Sequence, residues 1–371
     1  MAKHKRKGDT MYKSKYSKYK EQGEVGFFDK HFDLAKLADM GDLLDRINSV
    51  IDFELFRETL EDAILPKERI TNVGAKRYDP VLLFKIMVLQ RIYGLSDRNV
   101  EYQIIDRTSF KNFLGFSSGD KVPDEKTIWL FREELTKQKL ADKLFKMFHD
   151  YISEQGYILG NGKIVDASFA EAPKQHNKRD ENLDIRAGFG EELWDDKYDK
   201  KIHKDIDARW TEKNGEKHFG YKLHAKVDSR SKLIDKYEVS DASVHDSQAL
   251  GALLESKDAG QELYADSAYI GEKQEEIISK AGMINRVHER GARNRKLTPE
   301  QHKNNHSKSK IRARVEHVFG FMEQSMRGIK IRCIGIKRAR CILGLMSLVY
   351  NMCRIEQIKR LYENKNAFVI S

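Results

Sequence analysis

Cysteine is scarce in this 371-residue chain: Cys333, Cys341 and Cys353 are all it has, with no CxxC pair among them. An odd, clustered trio excludes a disulfide framework and suits a reducing compartment, with the thiols read as core residues rather than zinc ligands. Five prolines and 24 glycines exclude a collagenous or linker-dominated chain. The longest apolar run, Cys341 to Cys353, is 13 residues, short of the roughly 20 a membrane helix needs. The lysine-rich first residues contain no apolar core of the kind a secretory leader carries, so the expectation is a soluble, cytoplasmic protein without a membrane partner. HExxH, GxSxG and Walker A motifs are missing too. Gly160-Asn-Gly-Lys163 imitates the last, but Ile164 follows where a magnesium-binding hydroxyl is required.

Charge is what the chain has in excess. Charged residues make up 34 %, and 68 Lys+Arg against 58 Asp+Glu leave a net charge of +10. The excess is concentrated. Residues 1–20 are net +7, residues 286–314 net +8 and residues 326–340 net +6, so the rest of the chain is net acidic. Basic tails can serve solubility alone, but three such patches on an acidic background favour a polyanion-binding surface.

Residues 1–25 read as a basic tail, disordered until bound. Residues 26–155 show helical spacing almost throughout. Asp79-Pro80 starts a helix that Gly94 stops, Ser96 caps a second, a third ends at Gly115, and Asp124 caps a fourth through Leu135. Such short helices suit an all-α, helix-turn-helix-like unit that would present Lys126, Trp129 and Arg132 outward to DNA. A plain packing domain has similar turns and stays open as the alternative.

From residue 156 the texture changes. Lys163–Phe169 reads as a strand, His218–Asp228 and Lys232–Val239 as a hairpin, and Gln261–Ala265 and Met283–Val287 as further strands. Asp246 is placed as a helix cap. A helix is expected over about Lys308–Met326 and another over about Lys337–Tyr362. Strands forming a hairpin, then strand–helix–strand, then helices, is the order of an α/β RNase H-like domain, a mixed sheet flanked by helices, over 156–371. A charged insertion, 171–217, interrupts it.

The chemistry-bearing residues are carboxylates at element ends. Asp166 is expected at or near the end of the first strand, Asp266 at the end of the fourth, and Glu316 within the helix Lys310–Gly320. Acids at the carboxyl ends of neighbouring strands project into one crevice. Three converging carboxylates repel one another unless cations sit between them, and hard oxygen donors imply Mg²⁺ or Mn²⁺, two of which clamp a phosphodiester for in-line displacement. Against this, both aspartates could simply cap turns, and Glu316 could be a surface partner of Arg312.

Several segments together resemble the DDE transposases of bacterial insertion sequences, and the insertion-sequence-five branch in particular. They are Asp79-Pro-Val-Leu-Leu-Phe-Lys-Ile, Leu95-Ser-Asp-Arg-Asn-Val, Val122–Arg132, Val165-Asp-Ala-Ser168, Asp205–Trp210 with Phe219–His224, Val244-His-Asp-Ser247, Ala265–Gly271 and Arg312–Gly320. The resemblance implies that Asp166, Asp266 and Glu316 are the catalytic, metal-holding triad. It implies double-stranded DNA as partner (terminal inverted repeats and target) and a homodimer or higher assembly on it, in the bacterial cytoplasm at the nucleoid. Two positions depart from the family pattern: Ser309 stands where a Tyr is frequent and Glu323 where a Lys is, with Arg327 or Lys330 as substitutes. The DNA-binding residues expected are Arg312, Arg314, Arg293, Arg295, Lys296, Arg327, Lys330, Lys126 and Arg132. The activity implied is end cleavage followed by joining of the 3′-OH to target DNA. A nuclease of the same fold without strand transfer, or an inactive DNA-binding regulator, are the alternatives.

Overall fold

The computed structural model describes Gly26 and residues 28–64, 76–117, 119–158, 160–213, 215–291 and 296–369, with side chains through residue 361. The basic tail 1–25, Arg293 and Arg295 lie outside the described residues. The chain divides at Asp42. The first unit contributes one described helix, α1 (Asp29–Asp39), with no buried residue.

The second unit begins with helices α2 (Leu43–Val50), α3 (Arg57–Ile64), α4 (Pro80–Tyr93), α5 (Asp97–Asp106), α6 (Thr108–Leu114), α7 (Glu125–Lys137) and α8 (Leu140–Glu154). Their ends follow local chemistry. The side chains of Asp79, Ser96 and Asp124 accept from backbone N–H groups of the first turns of α4, α5 and α7. Gly94 and Gly115 close α4 and α6 in the left-handed region. These are the boundaries the sequence suggests.

The sheet follows: β1 (Gly162–Glu171), helices α9 (Arg179–Ala187) and α10 (Tyr198–Lys201), β2 (Arg209–Lys213), β3 (Glu216–Asp228) and β4 (Ile234–Asp241). Then come α11 (Leu250–Leu253), β5 (Glu262–Tyr264), α12 (Glu272–Lys280) and β6 (Ile284–Asn285). The strand order is β2-β3-β1-β5-β6, with β4 also paired to β3. β3 runs antiparallel to β1 and β4, whereas β5 and β6 join in parallel. This is a mixed sheet. Helices α13 (Pro299–Arg312), α14 (Arg314–Gly320) and α15 (Ile336–Val369) complete the chain, with a π turn over Phe321–Ser325.

Alternation along β1 sends Ile164 to one face and Val165 to the other. The first face joins a core that runs continuously from Leu44 through the helices and sheet to Ile358; α14 docks there through Val315 and Val318. The second face packs on Leu250, Leu253 and Ile278. The segment 171–217 is held by three acids, of which Asp205 is buried. Glu181 accepts from the Trp194 indole and pairs with Lys200. Asp205 accepts from the Tyr221 hydroxyl and the Gly335 N–H, and Asp207 from the Ile336 N–H, which ties the segment to the start of α15.

Three expectations need correction. The strand carrying Asp166 does not end there; it continues to Glu171, because β3 pairs with it from Lys163 through Glu171. The helix expected from Lys308 starts at Pro299. Thr298 and Gln301 form a capping box there, and the helix buries no residue, so it carries no apolar stripe to read. It also breaks at Ala313. Asp246 is not a cap. His245 holds that position, accepting from Ser247 N–H, while Asp246 Oδ1 lies 2.8 Å from Lys222 Nζ.

Gly220 is where β2, β3 and β1 meet. Its φ is +143°, and a Cβ there would stand 2.3 Å from the Ala170 carbonyl oxygen. Both strain and backbone collision oppose any side chain, so Gly220→Ala should cost about 3 kcal/mol or more. Urea denaturation checks this, and a loss under about 1 kcal/mol would show that the strands can shift to admit the methyl group.

Candidate active site

Parallel pairing of β5 with β1 covers only Gly162–Ile164, while antiparallel pairing with β3 runs on to Glu171. β1 therefore projects past the end of β5, and Asp166 is the second residue beyond that pairing. By alternation it shares the face of Ile164, the face on which α14 lies. Asp266 follows β5 by two residues; its Oδ1 accepts from Ala268 N–H at 2.8 Å and caps the short turn Ser267–Tyr269. Capping and a place in the site are thus compatible.

Arg312, at the end of α13, connects the parts. Its Nη1 stands 3.4 Å from Asp166 Oδ2 and its Nη2 3.5 Å from Glu316 Oε1, while its buried Nε has no acceptor. The sequence alternative of an Arg312–Glu316 pair is therefore present, but the same guanidinium also reaches Asp166. Glu316 is 64 % exposed, in contrast to 18 % for Asp166. Burial pushes the Asp166 carboxyl up to about 6. The Asp266 charge adds to the rise, whereas the Ala167 N–H, Arg312 and Lys213 oppose it.

Two further groups belong to this neighbourhood. The Tyr269 hydroxyl is buried without a partner, and burial together with the charges of Asp246, Asp166 and Asp266 raises its pKa well above the usual value. Lys222 reaches Asp246 and the Val244 carbonyl. Sequence reasoning passed over Tyr269 and Lys222 as site neighbours, although both sit in the segments that carry the family resemblance.

The expected DNA contacts are dispersed. Lys126 and Trp129 are exposed on α7. Arg132 on the same helix turns inward instead and forms a two-pronged pair with Asp97, at 2.5 and 2.7 Å. Arg314 donates to the Ser229 carbonyl at 2.7 Å and so holds the β3–β4 turn. Lys296, Arg327 and Lys330 are exposed.

The donor set suits a hard cation. Asp166 is desolvated beside a second carboxylate, and one of the guanidinium nitrogens opposing it is itself unpaired. The acids are not drawn tightly together, however. Among the described residues, the carboxylates whose oxygens all lie within 4.8 Å are Asp235, Glu255 and Asp258. That cluster already holds a cation: the fully buried Lys226 ammonium lies 2.8, 3.1 and 2.7 Å from Asp235, Glu255 and Asp258 respectively. His149 is 2.5 Å from Asp235 as well. It is a closed ionic network under the β3–β4 hairpin.

A family model described as "Transposase DDE domain" matches residues 160–352, and one described as "Transposase domain (DUF772)" matches residues 32–134. The first spans more than half of the chain, which therefore belongs to the DDE transposases. It is an enzyme of that class. A cryo-EM structure of the piggyBac transposase synaptic complex with hairpin DNA is similar at 10% identity and a TM-score of 0.45, over 89% of this chain and 77% of that one. That likeness is too loose to bear on the site.

Two stability measurements separate the acid clusters. In the unfolded chain Asp166 titrates near 3.8, and in the folded chain near 6. Between those values the folded state keeps a proton that the unfolded state loses, so stability falls as pH rises through the window. Asp166→Asn should therefore stabilise the metal-free protein by on the order of 1–3 kcal/mol above pH 6, a gain that vanishes below about pH 4. A pH-independent difference in urea unfolding would contradict it. Lys226→Met removes the cation that Asp235, Glu255 and Asp258 share and leaves the buried Asp258 without one, so it should cost about 3–5 kcal/mol; rescue by Mg²⁺ without other change would instead mark that cluster as a metal site.

Proposed function

We propose that this transposase binds the terminal inverted repeats of its element, cleaves at the 3′ ends and joins the resulting 3′-OH groups to target DNA. Asp166, Asp266 and Glu316 are the catalytic acids. The observation that carries the reading is Arg312, whose two terminal nitrogens face Asp166 and Glu316 while Asp266 raises the pKa of Asp166. A strand side chain and a helix side chain thus share one guanidinium, and Asp266 is near enough to act on Asp166 through its charge. Arg312 neutralises the acids in part and is placed to hold a phosphate flanking the scissile bond.

Two Mg²⁺ or Mn²⁺ ions held by these carboxylates would supply Lewis acidity at the phosphodiester and an activated water. Around them, Asp166 is held by the Ala167 N–H and Asp266 by the Ala268 N–H, so both carboxylates are oriented before DNA arrives. DNA is held by the basic residues of 286–314 and 326–340, including Arg293, Arg295, Lys296, Arg327 and Lys330, through phosphates rather than bases. The helices of residues 26–155 form the end-recognition unit, with Lys126 as the base-reading candidate. Arg132 serves that unit from within, by fixing α7 to α5 through Asp97. Pairing two ends for joining calls for a dimer or larger assembly.

Labelled end oligonucleotides test the reading. Asp166→Asn, Asp266→Asn and Glu316→Gln should each lower cleavage about a hundredfold or more, the scale of losing a transition-state charge partner, with end binding largely intact. Asp246→Asn, which touches Lys222 rather than the Arg312 group, should retain cleavage within about tenfold. Loss of cleavage in a folded Asp246→Asn protein would mean that the triad is misassigned. Cleavage without joined product would favour a nuclease, and end binding without cleavage an inactive regulator.

A further inference from the structure

A cavity of about 230 Å³ opens between the C-terminal end of α4, the start of α5, helix α7 and the loop after α14. Arg327, Lys330 and Arg332 stand exposed at its mouth, and Arg91 and Arg132 are half-buried in its wall. Asp97 is the one acid that lines it, and Arg132 already claims that carboxylate. Among the described residues the other four cations have no hydrogen-bonding or ion-pair partner for their side chains. Burial, with Arg132 adding repulsion, depresses the Arg91 guanidinium to about 10. A desolvated, unpaired guanidinium is costly in a folded protein and is tolerated where an anion is to arrive.

Backbone geometry supports the same conclusion. Arg327 adopts φ +66°, in the left-handed region that favours glycine. It is pressed against Gly94, where a Cβ would come within 2.7 Å of the Arg327 Cβ. Strain at an arginine facing a cavity of like charges indicates that its side chain is wanted there. The loop is also fixed to the catalytic strand: Glu171 N–H donates to the Ile329 carbonyl at 3.0 Å, and Ile331 N–H to the Glu171 carbonyl at 2.8 Å. Glu171 lies five positions after Asp166 on β1, about 16 Å at the usual rise.

We propose that this cavity is a phosphate-binding site, and that its occupant is a backbone phosphate of a DNA strand that continues past the catalytic acids. The volume admits a phosphate group with a few waters. The site chemistry stands on the cavity alone; the identity of the occupant rests on the reading of the chain as a DNA-end-binding transposase.

The test uses the full chain in EDTA, so that cleavage plays no part and failure of the catalytic triad leaves the result untouched. Binding of a random duplex of about 30 base pairs is measured against salt for the parent, Arg91→Met, Arg91→Lys and the double variant Arg327→Gln/Arg332→Gln, where each lost phosphate contact should make the slope shallower by about 0.9. Arg91→Met should weaken the duplex, Arg91→Lys should keep the parental slope, and the double variant should lose about two contacts. Inorganic phosphate should raise the melting temperature of the parent but not of Arg91→Met. Arg91→Met should melt no lower than the parent, since an unpaired buried charge has been removed. A lower melting point would make Arg91 a structural residue and overturn the site. A response to inorganic phosphate with unchanged duplex slopes would overturn DNA as the occupant, and no response to either would overturn both.

Discussion

Burial of α15 is the constraint on which the rest of the structure depends. From Ala339 to Ile358 this helix is apolar nearly all round, and it packs against α2, α4, α7 and α8 as well as β4. Where it must carry polar groups, they finish someone else's hydrogen bonding. The Asn351 amide accepts from the Ile234 N–H and donates to the Ile234 carbonyl, both at 2.8 Å, replacing a ladder partner at the start of β4. Glu356 is buried between Arg46 and Arg360. The change from helices to strands near residue 155 is therefore a change of element type within one continuous core. The sheet that carries the acids is thereby held in fixed relation to helices α2–α8.

Two acid clusters in the same sheet handle their charge in opposite ways. Asp235, Glu255 and Asp258 enclose a lysine of the chain itself, and the His149 hydrogen bond, with Lys163 and Lys226, drives the Asp235 carboxyl far below its usual range although it is buried. Asp166 is largely buried, and desolvation carries its carboxyl up to about 6 because the groups opposing it are weaker: the Ala167 N–H, a guanidinium at 3.4 Å that is shared with Glu316, and Lys213. The first cluster is complete without any ligand. The second is under-neutralised, and a group in that condition gains most from an added cation. The difference in counter-charge, more than acid density, distinguishes the closed network from the candidate site. Proximity of oxygens alone would have selected the closed one.

How much of this was legible in the sequence follows from the kind of signal each feature leaves. Helices α4–α7 were readable to within a residue or two, because their caps (Asp79, Ser96, Asp124) and stops (Gly94, Gly115) are local chemistry. The β3–β4 hairpin was readable from alternation. The strand β1 was readable over Lys163–Phe169, but its run past Asp166 to Glu171 was not fully so, since pairing with β3, a non-local cause, holds that end. The start of α13 escaped because a helix that buries nothing has no period to detect. The inward turn of Arg132 escaped as well: helical spacing gives the direction of a side chain, but Asp97, 35 residues away, decides what it binds. The candidate acids were named from element ends, and the structure supplies Arg312 as the link that spacing could only suggest.

The loop between α14 and α15 shows how these constraints combine. Its residues 329–331 extend the edge of β1 by pairing with Glu171, while its Gly335 and the Ile336 N–H are held by Asp205 and Asp207. Both of its ends are therefore fixed, one to the catalytic strand and the other to the segment 171–217. Arg327 stands just before the first of these anchors, between Met326, whose N–H donates to the Phe321 carbonyl, and Gly328, whose N–H donates to the Met322 carbonyl, and its left-handed strain persists because these surroundings over-determine it. Any anion held by this loop is referred directly to β1, and through β1 to Asp166. The segment 171–217, which looks like an interruption of the sheet, thus helps to set the distance between this loop and the candidate acids.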